Sequence, residues 1–200
     1  GPYSMDQHVE DLAGLLEALE IPQAHIGGIS YGSEISMLFA IQHPEMTKSL
    51  VVMDGVSEIQ PLLKVQTYPW QLAGERNDAA MLLHTSYHLN FAEEWINTHQ
   101  AFMESAVSRF NAIDLAAFAE LMKAFFSIDF TDQLSQIKAP TLVMVGEKDL
   151  IKGIEYAEII TGEIENAELV VIPGAGHAVC LEKPAEVNAL LIGFISKLSV

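Results

Sequence analysis

Ala24-His25-Ile26-Gly27-Gly28-Ile29-Ser30-Tyr31-Gly32-Ser33 is the stretch on which the fold of this chain turns. Its first six residues are a short apolar segment of strand length, Gly28 to Gly32 fits the pattern Gly-x-Ser-x-Gly, and a helical pattern starts at once behind it. The two glycines are expected to let the strand and helix backbones pass close together. Ser30 then sits on a strained turn with its hydroxyl above the end of the strand, beside the positive end of the helix dipole. Ser30 is therefore the first candidate for chemistry.

Working outward, Val9, Leu12, Leu15, Leu16 and Leu19 recur at helical spacing ahead of this stretch, and Pro22 ends the run. Behind it, residues Ser33 to Gln42 are apolar on nearly every side, which suits a buried helix closed by His43-Pro44. Further short apolar runs follow at Leu50–Met53, Pro140–Val145 and Leu169–Ile172, with helical patterns at Lys152–Thr161 and from Pro184 onward. Continuously apolar strands alternating with amphipathic helices predict the α/β class, a mostly parallel sheet covered by helices on both faces.

Residues 57–137 break that alternation once. They hold no good strand but three helical patterns, Asp78–Leu89, Glu93–Phe110 and Leu115–Phe126, rich in Met, Phe and His. The expected organisation is a core in two parts, 1–56 and 138–200, with a helical cap of residues 57–137 inserted between them.

The 200 residues, half of them apolar, suffice for one compact core. A formal charge of −17 repels phosphate backbones and anionic lipid, so nucleic acid and membrane surfaces are not expected partners. Gly1-Pro2-Tyr3-Ser4 does not open a signal peptide, no apolar run is long enough for a bilayer, and the lone Cys180 forbids an intrachain disulfide. A cytoplasmic location is the expectation.

A serine hydroxyl needs a base, and the base needs an orienting acid. Asp149, in Gly146-Glu147-Lys148-Asp149, follows the third apolar run, and His177, in Gly174-Ala175-Gly176-His177, follows the fourth. In a parallel sheet all carboxyl ends share one edge, so Ser30, Asp149 and His177 can converge there despite their separation in sequence. Asp54, after the second run, is a weaker candidate acid that suits turn chemistry.

These features together resemble the α/β-hydrolase superfamily, and the likeness spans nearly the whole chain, including the stretch Leu134, Ile137, Ala139-Pro140-Thr141-Leu142 that leads into Gly146 and Asp149. The resemblance implies a cofactor-independent, metal-free serine hydrolase acting on a small-molecule carboxylic ester or related acyl compound. Ser30 attacks the acyl carbon, His177 takes the proton, Asp149 holds the tautomer, and the Tyr31 backbone N–H binds the oxyanion. Serine in place of aspartate at position 30 argues against haloalkane and epoxide hydrolysis.

Relatives carry further strands and a His-Gly loop ahead of the helix that here begins near Ser4, and that loop gives the second oxyanion donor, worth about 3 kcal/mol in the transition state. Without those strands, the strand before Ser30 should expose an apolar edge for a homodimer partner or a complementing N-terminal segment to cover. The competing reading is a binding or receptor module, or a fragment inactive without that segment. In the cap, Trp70, His84, Tyr87, His88 and Trp95, together with Tyr31, are candidate pocket residues, although aromatic residues at helical spacing serve more often as packing. Cys180 is read as a buried filler, not a second nucleophile.

Overall fold

In a computed structural model that describes residues 3–198, the four apolar runs are parallel strands: β1 (Ala24–Ile29), β2 (Thr47–Met53), β3 (Thr141–Gly146) and β4 (Ala167–Ile172). They pair in the order β1-β2-β3-β4. Gly1 and Pro2 of the N-terminal reading lie outside the described residues. Helices α1 (Met5–Ala18) and α2 (Tyr31–Gln42) flank β1 in sequence; α9 (Ile154–Glu163), α10 (Val179–Glu182) and α11 (Pro184–Lys197) accompany the last two strands. None of the helices among the described residues is long and apolar enough to cross a membrane.

Strand alternation sorts the core into two layers. Leu50, Val52, Val143 and Val145 pack with α1, α2 and α9, while Val51, Leu142 and Met144 pack with Val187 and Phe194 of α11. Every residue of β3 is buried, as a central strand covered on both faces requires. β1 stands at one end of the sheet, and its exposed residues are the polar His25 and the small Gly27, with Ile26 turned into the core. The apolar edge expected there is thus largely absent from β1's own side chains.

Helix α1 starts where Ser4 Oγ accepts the Gln7 N–H at 3.1 Å, and it buries Met5, Val9, Ala13 and Leu16. Leu15 and Leu19 of the expected stripe are 54% and 58% exposed. They sit on the flank of a face whose true steps are 5, 9, 13 and 16.

Between β2 and β3 run α3 (Pro61–Glu75), α4 (Ala79–Asn90), α5 (Glu93–Thr98), α6 (Gln100–Glu104), α7 (Ala106–Asn111) and α8 (Leu115–Phe125). The first of these was not foreseen, because Pro69 lies inside it and Lys64, Gln66 and Gln71 dilute its apolar pattern. The single pattern expected over Glu93–Phe110 is three short helices broken at His99 and Ser105. There the side chains compete with the helix ladder: Thr98 Oγ1 donates to the Glu94 carbonyl, and Ser105 Oγ donates to that of Phe102. The two ends of the insertion meet, since the Phe130 N–H donates to the Ser57 carbonyl at 2.9 Å and Ser57 Oγ lies 2.7 Å from Thr131 Oγ1.

Candidate active site

Ser30 occupies the corner between β1 and α2 with φ 53° and ψ −120°, a conformation that non-glycine residues rarely adopt. Two neighbours hold it there. A Cβ on Gly28 would stand 2.2 Å from the carbonyl carbon and oxygen of Gly32, so strand and helix meet where only glycine fits. A Cβ on Gly32 would meet open space, so of the two glycines only the first is required by crowding. Ser33 supplies a clamp the sequence did not reveal. Its hydroxyl lies 2.7 Å from the Gly28 carbonyl and 2.8 Å from that of Met53, and it accepts the Met53 N–H at 3.0 Å.

At the carboxyl edge of the sheet, three side chains from three different corners form one chain. His177 Nε2 is 2.8 Å from Ser30 Oγ, and His177 Nδ1 is 2.8 Å from Asp149 Oδ2. The other Asp149 oxygen, Oδ1, accepts the N–H groups of Ile151 at 2.7 Å and Lys152 at 2.9 Å. Burial alone would raise the pKa of Asp149, but the neighbouring His177 and these donors outweigh it and hold the carboxyl below its usual range. An ionised Asp149 can only accept, so the Nδ1 of His177 carries the hydrogen and Nε2 is free to accept the Ser30 O–H.

Asp54, at φ 49°, ends β2 in the next corner and is 1% exposed. Its Oδ1 accepts the Gly146 N–H at 3.0 Å, whereas Oδ2 has no hydrogen-bond partner among the described residues. Burial first, then the negative charge of Asp149, pushes its pKa up to about 9. Asp54 therefore stays protonated at neutral pH, and Asp149 is the carboxylate in contact with His177. Asp54, Asp149 and His177 present ligand atoms within 4.8 Å of one another, close enough to share an ion. His177 Nδ1, Asp149 Oδ2 and Asp54 Oδ1 are engaged in the bonds already described, which leaves Asp54 Oδ2 as the one carboxylate oxygen of the group without a partner among the described residues. Cys180, half-buried, lies 3.5 Å from the sulfur of Met53, and burial raises its thiol pKa, which suits a filler.

Beside Ser30 opens an apolar cavity of about 250 Å³. Tyr31 and Trp70 line it as expected residues; the rest of its wall includes Phe118, Met122 and Phe125 of α8, which recur at helical spacing, and Lys152. The remaining candidates lie elsewhere. His84 is exposed, Tyr87 packs edge-on against Phe91 and Phe110, and Trp95 is stacked between Phe91 at 4.4 Å and His99 at 4.2 Å. His88 borders a larger, more open cavity of about 820 Å³ that reaches Asp149 but does not include Ser30.

Lys152 is 2% exposed, and its Nζ lies 2.9 and 3.0 Å from the two carboxylate oxygens of the fully buried Glu34. It also stands 4.8 Å from the centre of the Phe125 ring. Glu34 Oε1 in addition accepts the Val56 N–H at 2.8 Å. Burial pushes the Glu34 carboxyl up, and the Lys152 ammonium and the Val56 N–H oppose that rise. One buried ion pair thus joins α2, the loop after β2 and the loop that carries Asp149.

A parallel sheet covered on both faces, with a turn-borne serine at its carboxyl edge, is the architecture of a hydrolase. The chain belongs to the alpha/beta hydrolase fold family, whose sequence model matches residues 1–184. Among solved structures it is similar to MGS-M2, an alpha/beta hydrolase enzyme from a Medee basin deep-sea metagenome library, with a TM-score of 0.93 and 32% identity over 98% of this chain and 73% of that one. Among curated proteins it is 24% identical to the "Putative carbamate hydrolase RutD" of Caulobacter sp. (strain K31), over 98% of this chain and 74% of that protein. It is 25% identical to 3-oxoadipate enol-lactonase 2 of Acinetobacter baylyi, over 94% of this chain and 69% of that protein.

Proposed function

We propose that this chain is a serine hydrolase that cleaves carboxylic esters or closely related acyl compounds through an acyl-enzyme on Ser30. The observation that carries the reading is the unbroken hydrogen-bonded line from Ser30 through His177 to Asp149, at the wall of an apolar cavity. Ser30 Oγ attacks the acyl carbon as its proton passes to His177 Nε2, and the tetrahedral oxyanion forms near the Tyr31 N–H. That N–H belongs to the first residue of α2, a position the helix leaves without an internal partner. His177 returns the proton to the leaving group, then takes one from a water that attacks the acyl carbon, and gives it to Ser30 Oγ as the acyl–Ser30 bond breaks and the acid leaves. Carbamates and lactones, named for two relatives, share an acyl carbon bonded to a heteroatom leaving group, the bond this mechanism breaks.

Charge accounting narrows the substrate. The cation at the cavity, Lys152, is already neutralised by Glu34, and Asp149 adds a negative charge close by. A carboxylate in the acyl group would therefore find repulsion and no free partner, so we assign an uncharged, apolar acyl group to the cavity. At about 30 Å³ for a water-sized group, the volume holds roughly eight such groups. The helices of residues 57–137 act, in this reading, as the cap that shelters it.

The test is labelling of Ser30 with a fluorophosphonate and hydrolysis of p-nitrophenyl esters. Native protein should label and turn over, with kcat/KM rising about fourfold per methylene until the cavity is full, and Ser30→Ala should do neither. Absent labelling together with absent turnover returns the chain to the class of binding modules, and hydrolysis surviving Ser30→Ala removes Ser30 as the nucleophile.

A further inference from the structure

His177 sits on a loop that touches the helical insertion, and the contact is built from backbone. A Cβ on Gly176 would lie 2.6 Å from the Ala92 nitrogen and 2.8 Å from the Phe91 carbonyl carbon, so the loop backbone meets the insertion backbone where only glycine fits, with a Glu182 oxygen beside them. The insertion's side of this contact is the corner between α4 and α5, where Phe91 and Ala92 are both buried.

Two links pin the corner, a single bond on one side of the histidine and a two-bond bridge on the other. The Ala178 N–H donates to the Asn90 carbonyl at 2.9 Å. On the other side the link is a side chain, Glu182, the last residue of α10. Its Oε1 accepts the Gly176 N–H at 2.9 Å, and its Oε2 accepts the Ala92 N–H at 3.0 Å. One carboxylate thus spans the 175–176 peptide, one step ahead of His177, and the start of α5, with one oxygen committed to each. A carboxylate bridging two backbone N–H groups forms charge-assisted bonds, and no other side-chain type of that length offers two acceptors and no donor.

We propose that Glu182 is a positioning residue that makes the alignment of His177 depend on the insertion being docked. The imidazole must meet Ser30 and Asp149 at once, both at 2.8 Å, so a small shift of the backbone at residues 176–177 breaks one bond or the other. Glu182 holds that backbone by the Gly176 N–H, and it takes its reference from Ala92. When the α4–α5 corner lifts, the histidine loses its alignment; when the corner settles, the hydrogen-bonded line closes. The inference rests on the reading of His177 as the base for Ser30.

Glu182→Ala tests it. A misplaced base slows the chemistry more than it weakens substrate binding, so kcat for a short p-nitrophenyl ester should fall on the order of tenfold to a hundredfold, with KM changed far less. The rate of fluorophosphonate labelling of Ser30 should fall by a similar factor. Hydrogen exchange should quicken together at residues 174–178 and 90–92, on opposite sides of the bridge. A purely structural role would lower the melting temperature and leave labelling of the folded fraction at the native rate. That result overturns the proposal, as does faster exchange on one side alone. Should Glu182→Ala fail to fold, Glu182→Gln keeps one acceptor and turns a donor toward the other N–H; in that folded variant a several-fold loss of kcat is expected, and native kcat overturns the proposal. Activity independent of Ser30 would instead defeat the reading of Ser30 as nucleophile with His177 as its base.

Discussion

Replacing Asp54 by asparagine should change how stability depends on pH more than it changes stability at any one pH. Asp54 is 1% exposed, and its pKa is held at about 9 against an ordinary 3.8. Between those values the folded chain keeps a proton that the unfolded chain has lost, so unfolding releases it. This group's contribution is fully present below about pH 4 and drains away as pH rises toward about 9. The slope for one proton is about 1.4 kcal/mol per pH unit, or about 3 kcal/mol between roughly pH 5.5 and pH 7.5. Asp54→Asn removes that slope while its side-chain oxygen can still accept the Gly146 N–H. Urea unfolding of both proteins at the two pH values measures it: the variant should gain on the native chain by about 3 kcal/mol at the higher pH. A stability gap identical at both pH values would refute the reasoning and mean that both carboxyls are ionised in the fold.

Two other substitutions probe the supports of the site. Lys152→Met, which strands the Glu34 carboxylate, should cost about 3–5 kcal/mol, and adding Glu34→Gln should recover more than half of it, because the amide oxygen can still serve Val56. A double variant no more stable than the single, by the same unfolding assay, would show that the pair itself carries the stability. Gly28→Ala should destabilise by about 3 kcal/mol or more, since its Cβ meets unyielding backbone, while Gly32→Ala should be neutral or stabilising by up to about 1 kcal/mol. Equal losses at the two glycines would contradict the crowding assigned to the first alone.

The strands were readable because each is a continuous apolar run closed by turn residues, and a buried parallel strand needs little else. Ser30, Asp149 and His177 could be picked out because parallel topology alone sends all strand ends to one edge, whatever the sequence distance. Glu34 and Lys152 could not, since each sits in a helical or loop pattern and only tertiary packing reveals that they face each other. Of the expected cavity residues, Tyr31 and Trp70 line it, and His84, Tyr87, His88 and Trp95 do not, for a related reason. Aromatic side chains on α4 and α5 carry the same helical spacing as those on α8, yet Tyr87 and Trp95 turn toward their own neighbours, whereas Phe118 and Phe125 turn toward Ser30. Spacing gives a helix its face and leaves open where that face points.

The bond between Phe130 and Ser57 has a further consequence. The polypeptide comes back to within one hydrogen bond of where it departed, so for the sheet the whole excursion of helices is a detour of almost no net length. A change of length within those helices therefore need not move β2 against β3. Their packing is not separate from the sheet, because Leu63, Met122 and Phe125 belong to the same core as Leu50 and Val143, and the corner at Asn90–Ala92 holds the loop of His177.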